Sequence, residues 1–241
     1  MDISFRSKVT EDLTTLYLRL NGYFTTGLIL HAPGWGKLDT EIDCLAVRFP
    51  LSAQPERGIG ADRFLEPSIM QIDLLFCEVK CRDEKLQFNK AIRKDLDRFV
   101  RALRWSGIFS KQEIERFAPK VLAAFTPKPA ATGKIPVVSV NRRVRIRGLI
   151  SSPERNSGNR RNTDPWYLGG DKIFDYAWRC FCPTAPRPTC STRYDFTRWG
   201  HLEPIVRYFK MRGPRGAGTI KDLYRYLLNR HSRQILGNED V

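Results

Sequence analysis

Two short apolar runs, Thr40–Phe49 (TEIDCLAVRF) and Gln71–Lys80 (QIDLLFCEVK), constrain this chain more than any other feature. Each is of strand length and rich in branched and aromatic residues, which predicts a buried strand. Each also carries acids in its interior, where a carboxylate is costly unless something positive compensates it. Side chains two apart share a strand face, so Glu78 stands with Lys80, and Glu41 and Asp43 stand with Leu45, Val47 and Phe49. By the same period Asp73 faces away from Glu78. An acid from the first strand, with an acid and a lysine from the second, suits a divalent cation beside a proton-handling amine. That is the chemistry of metal-assisted phosphodiester cleavage.

Charge points the same way. Lys and Arg number 41 against 26 Asp and Glu, a net charge of +15 over 241 residues, which favours a polyanionic partner, nucleic acid first. No run of about 18 apolar residues is present to span a membrane, and MDISFRSKVTEDL lacks the basic and apolar regions of a secretory signal. Two of the six cysteines, Cys44 and Cys77, fall inside the predicted strands, a pattern of reduced thiols that fits a cytoplasmic protein better than a disulfide framework. Cys180, Cys182, Cys190 and His201 lack the paired spacing of a zinc knuckle.

In chain order, Val9, Leu13, Leu16, Tyr17 and Leu20 predict a first helix over Ser7–Asn21, stopped by Asn21-Gly22. Tyr23–His31 reads as a strand, and Ala32–Asp39 as a loop with Lys37 near its end. Pro50–Pro67 is an excursion between two neighbouring strands. After Lys80 a long helix is expected over Glu84–Trp105, with Gln87 near its start and Lys90, Arg93, Lys94 and Arg101 on a basic face. Ser110 and Glu113 form a capping box for a short helix to Phe117, followed by a strand at Val121–Phe125. Val137–Val140 and Val144–Ile150 read as paired strands, with Arg142, Arg143, Arg145 and Arg147 beside them. Helices over Asp171–Phe181, Trp199–Met211 and Thr219–Asn229 complete the pattern. Residues 1–150 therefore read as an α/β core and 151–241 as a mainly helical extension.

An acid-bearing helix, Gly22-Tyr23-Phe24 opening a strand, Asp43, and then Glu78-Val79-Lys80 before a helix resembles the PD-(D/E)xK nuclease superfamily. The match covers residues 7–105 and is nearest to the Holliday junction resolvase and Mrr-type branch. It departs from that branch in the long Asp43–Glu78 spacing and in Ile42 standing where a proline often precedes the acid. The resemblance implies a restriction-endonuclease-like fold, a mixed central sheet flanked by helices. It implies that Asp43, Glu78 and the Val79 carbonyl ligate Mg²⁺, for which Mn²⁺ would substitute, while Lys80 orients or deprotonates the attacking water or stabilises charge developing on the phosphate. Glu11 would reach the site from the first helix, with Asp12 as its rival, and Gln87 would position water or phosphate. Cleavage of DNA to 5′-phosphate and 3′-hydroxyl ends is implied, and a homodimer would serve two-strand cutting. Lys37, Lys90, Arg93, Lys94, Arg101, Arg142, Arg143 and Arg145 would hold the nucleic-acid backbone, which positions without reading sequence. The rival expectations are a catalytically inactive nucleic-acid-binding protein on the same fold, with its acids merely paired to Arg48 or Lys80, and an RNA-directed nuclease or assembly factor.

Overall fold

The second acid-bearing run forms strand β3 (Ile72–Val79), and it is buried from Asp73 to Val79 because it lies mid-sheet. The computed structural model describes residues 2–31, 38–52, 58–125, 137–159, 166–182 and 195–236. Within them β1 (Phe24–His31), β2 (Leu38–Arg48) and β3 form an antiparallel meander. Strand β5 (Val144–Ser152) then runs parallel to β3 along its full length. The other edge of β5 takes β4 (Val137–Ser139, antiparallel) and β6 (Tyr167–Gly169, parallel). The result is an α/β architecture with a six-stranded mixed sheet, in the order β1-β2-β3-β5-β4 with β6 beside β5.

Helices cover both faces, as a sheet with a buried parallel pair requires. One layer holds α1 (Ile3–Leu20), α5 (Gly170–Phe181), α6 (Glu203–Arg212) and α7 (Ile220–Leu236). Its core joins Leu13, Tyr17, Cys77, Leu149, Phe174 and Phe209. The other layer holds α2 (Lys90–Lys94), α3 (Leu96–Trp105) and α4 (Lys111–Phe125), which pack on Leu74, Phe76 and Ile146. Gly148 lets β5 pass under the stacked Phe88 and Phe125 rings, since a Cβ there would come within 2.9 Å of both. Residue 150 lies inside β5, and the helices beyond it share one core with α1.

Several expectations need correction. The helix expected over Glu84–Trp105 is two, because Asn89 and Asp95 each leave helical geometry. Each caps the next segment, its side chain accepting from Ile92 and Arg98 N–H respectively at 3.0 Å. Gln87 therefore sits in the turn before α2 and not on a helix. Val121–Phe125 is the end of α4 and not a strand. Ile114, Phe117, Ala118, Val121 and Phe125 fall on one helical face, and Pro119 is accommodated within it. The three-residue β6 was not foreseen, and α1 begins at Ile3 rather than Ser7. The capping boxes at Ser110–Glu113 and Thr219–Asp222 form reciprocally, and β2 and β3 are the neighbours that the Pro50–Pro67 excursion joins.

A buried ionic cluster anchors that excursion. Arg147 donates to Asp73 at 2.6 and 2.9 Å, to Tyr23 Oη at 2.7 Å and to the Leu65 carbonyl. Arg145 reaches the same carboxylate at 2.8 Å and the Glu66 carbonyl at 2.8 Å. Arg145, expected to hold a phosphate backbone, is thus committed to Asp73, because the strand period turns residues 145 and 147 toward the acid-bearing face of β3.

Candidate active site

The two acid-bearing strands part company where the candidate residues lie. The register of β1 against β2 slips by one residue: Thr26 faces Leu45 and Leu28 faces Ile42, leaving Asp43 and Cys44 together opposite Gly27. This is a β-bulge, a device that re-aims a side chain. It overturns the expectation that Ile42 and Leu45 lie on opposite faces, since both enter the core beneath α2–α4. On its other side the β2–β3 ladder ends at Cys44 opposite Cys77. The Val79 N–H then donates to the Asp43 carboxylate at 2.6 Å. A side chain thus takes the place of the next strand partner, and Asp43 is held at the divergence point.

Glu78 and Lys80 complete the cluster. Lys80 Nζ donates to Glu78 Oε1 at 2.7 Å and stands 3.8 Å from Glu84 Oε1. The lysine side chain keeps 14% exposure and Glu78 only 4%, so the pair is tight but open on the lysine side. The Asn89 backbone N–H, at the start of α2, also donates to the Glu78 carboxylate. Burial pushes the Asp43 carboxyl up to about 7, with the nearby Glu78 charge adding to it and the Val79 N–H and Lys80 only partly offsetting. Burial also raises Glu78, against the pull of Lys80. On Lys80 burial acts downward, but Glu78 outweighs it and the ammonium is held above its usual range. Glu11, at mid-α1, accepts from Ser7 Oγ at 2.8 Å; burial raises it, and its charge is felt at Asp43.

Asp43 and Glu11 open onto a cleft of about 930 Å³ between α1, β1 and the C-terminal helices. Among the described residues no three His, Cys, Asp or Glu side chains gather as a cation cage. Asp43 and Glu78 are the carboxylates that could hold a cation here, and Mg²⁺ is an ion usually held by one or two carboxylates with water and substrate phosphate filling its octahedron. Glu41, the second acid of β2, is exposed.

No family model, curated protein or solved structure matches this chain. Val79 bonds Asp43 and Lys80 bonds Glu78, and the charges of Glu78, Lys80 and Glu11 are felt at Asp43; Asp43 and Glu11 line the cleft, while Glu78 and Lys80 are not among its lining residues. Gln87 is in a turn, and Lys37 lies outside the described residues. Lys90 and Lys94 are exposed on α2, Arg93 donates to the Phe88 carbonyl at 3.0 Å, and Arg101 is half-buried on α3. Arg142 and Arg143 are exposed before β5.

Sequence reasoning missed the far wall of the cleft. Arg19, Trp199, His201 and Lys210 all line it, and His201 Nε2 stands 3.6 Å from Asp12 Oδ1. One signal was available. Glu11, Thr15 and Arg19 recur at four-residue steps, which puts them on one face of α1. Nothing local in the sequence brings residues 199–210 there.

Proposed function

We propose that this chain is a Mg²⁺-dependent nuclease of the PD-(D/E)xK class, built on a restriction-endonuclease-like fold, that hydrolyses DNA phosphodiester bonds. One observation carries the reading: the Val79 N–H holds Asp43, on a bulge where β2 and β3 separate, next to the Glu78–Lys80 pair at the strand end, and Asp43 itself opens onto a cleft. Two partly repelling carboxylates with a lysine are a poor device for stability alone, because burial raises both acids. They are a good device for a hard cation. The meander leading into a parallel strand supports the fold reading, as an analogy of architecture.

Asp43 and Glu78 would hold the cation, with the Val79 carbonyl at hand. When bound it supplies a nucleophile at neutral pH and neutralises charge on the phosphate. The chain's own residues do the rest. Glu78 tethers Lys80, so the ammonium stays charged and fixed where it can orient the attacking water or meet the developing negative charge. The Val79 N–H fixes one Asp43 oxygen and leaves the other for the ligand. Water adds to phosphorus and the bond to the 3′-oxygen breaks, leaving 5′-phosphate and 3′-hydroxyl ends.

The test is cleavage of labelled duplex, single-stranded and four-way junction DNA with Mg²⁺ or Mn²⁺. Wild type is expected to cut at least one substrate, and Lys80→Ala to lose about 10²–10⁴-fold, the usual worth of a positioned acid–base group. If wild type and Lys80→Ala bind equally and neither cuts, the protein is a binder that uses Glu78–Lys80 as an ion pair.

A further inference from the structure

The acids account for only one end of the cleft. Cations and aromatics stand among its other lining residues, beside threonines, glycines and a cysteine. Arg19 comes from α1 and Lys210 from α6. Trp199 lies in the 3₁₀ turn Phe196–Leu202, steadied edge-on by Phe181 at 5.5 Å between centroids, with the Arg19 guanidinium 5.2 Å above its ring. Phe24 opens β1 at the lip of the same cleft and is 69% exposed, outside the core and set edge-on to the exposed Phe49 at 6.0 Å between centroids. Aromatic faces interleaved with cations along a groove are what a single nucleic-acid strand binds to. Bases stack on the rings, and arginine planes and phosphates meet the charges. The size agrees: about 930 Å³ is at the upper end of small-ligand pockets. It holds a few nucleotides of one strand, not a turn of duplex.

We infer that the cleft takes a single strand of nucleic acid, with bases stacked against Trp199 and Phe24 and the backbone held by Arg19 and Lys210. The strand would be led in this way toward Asp43. This deepens the proposed function and rests on it for the chemistry, though not for the binding. The preferred substrate is then an unpaired or frayed segment, and the C-terminal helices are part of the substrate site. The acids in the cleft, Glu11, Asp12 and Asp43, oppose a phosphate chain, so binding is strongest with a divalent cation present.

The experiment is fluorescence anisotropy of a labelled 12-nucleotide single strand, as DNA and as RNA, against the matching duplex at equal salt. Ca²⁺ replaces Mg²⁺ to limit turnover. Wild type is expected to bind one of the single strands at least about tenfold tighter than the duplex. Phe24→Ala and Trp199→Ala should each weaken that binding by about 5- to 100-fold, the range of one lost base stack. Trp199→Phe, which keeps a ring, should restore most of it, and Phe24→Ala removes an exposed side chain without threatening the fold. Arg19→Ala and Lys210→Ala should each flatten the salt dependence by roughly one phosphate contact. Equal or tighter duplex binding, or full single-strand affinity in both aromatic variants, overturns the inference even if wild type cuts DNA. Ring-dependent single-strand binding in a protein that never cuts upholds it while the nuclease reading falls.

Discussion

Asp43→Asn is expected to stop hydrolysis and to make the protein more stable at the same time. The loss in rate should be about 10³-fold or more, since a metal contributes several kcal/mol of charge stabilisation and each 1.36 kcal/mol is tenfold. The gain in stability follows from linkage. The Asp43 carboxyl is pushed up to about 7 in the folded protein, chiefly by burial and then by Glu78, and returns toward the ordinary Asp value on unfolding. The folded state then binds the proton more tightly than the unfolded chain. Stability in cation-free buffer should therefore fall as pH rises from about 4 to about 7, and stay low above that. Asparagine carries no charge and keeps an oxygen for the Val79 N–H. At pH 8 the substitution should add about 1–3 kcal/mol, seen as a higher denaturant midpoint at unchanged m-value, and reduce that slope, to which Glu78, Glu11 and Asp12, also raised by burial, still contribute. A variant less stable than wild type at pH 8 would mean that the carboxylate is not under strain. An active site that costs stability is a common trade.

Asp73→Ala is expected to do the opposite, costing about 3–5 kcal/mol. Asp73 has no exposed side-chain surface and is the shared acceptor of Arg145, Arg147 and Tyr23 Oη, the last at 2.7 Å. Removing it leaves Arg147, itself 2% exposed, as a buried charge without its counterion, the case in which breaking an ion pair is most damaging. The Leu65 and Glu66 carbonyl bonds that anchor the excursion before β3 would loosen with it. Chemical denaturation gives the cost. The double variant Asp73→Ala/Arg147→Met should recover part of the loss, because the most deeply buried cation leaves with its counterion while Arg145, the other cation on Asp73, keeps 13% exposure. A loss of under about 1 kcal/mol in Asp73→Ala would show that the cluster is solvated. These two acids, on neighbouring strands, thus have opposite effects on stability.

That contrast bears on what the sequence could reveal. The acid-bearing strands, their adjacency and the Glu78–Lys80 pair were legible because period-two alternation and burial act locally. The capping boxes at Ser110 and Thr219 were legible for the same reason. The break at Asp95 was written in the sequence as two capping residues, Asn89 and Asp95, but the continuous apolar spacing of Ile92, Leu96 and Phe99 masked it. Val121–Phe125 is a short apolar run that fits either period, and only the spacing back to Ile114 decides it. The bulge at Asp43 depends on register against β1, which a single strand cannot show. Arg145 looked free because its partner is 72 residues away. The wall carrying Trp199, His201 and Lys210 is further still, a tertiary fact with no local signature.

The proposed hydrolysis depends on Asp43 and Glu78 holding a divalent cation. The most direct measurement is Mn²⁺ binding, followed by water-proton relaxation, in the presence of an uncleavable phosphorothioate DNA. Wild type is expected to bind Mn²⁺ with water still coordinated, and Asp43→Asn and Glu78→Gln to lose that binding. Equal binding in all three proteins, or none in wild type, would contradict it.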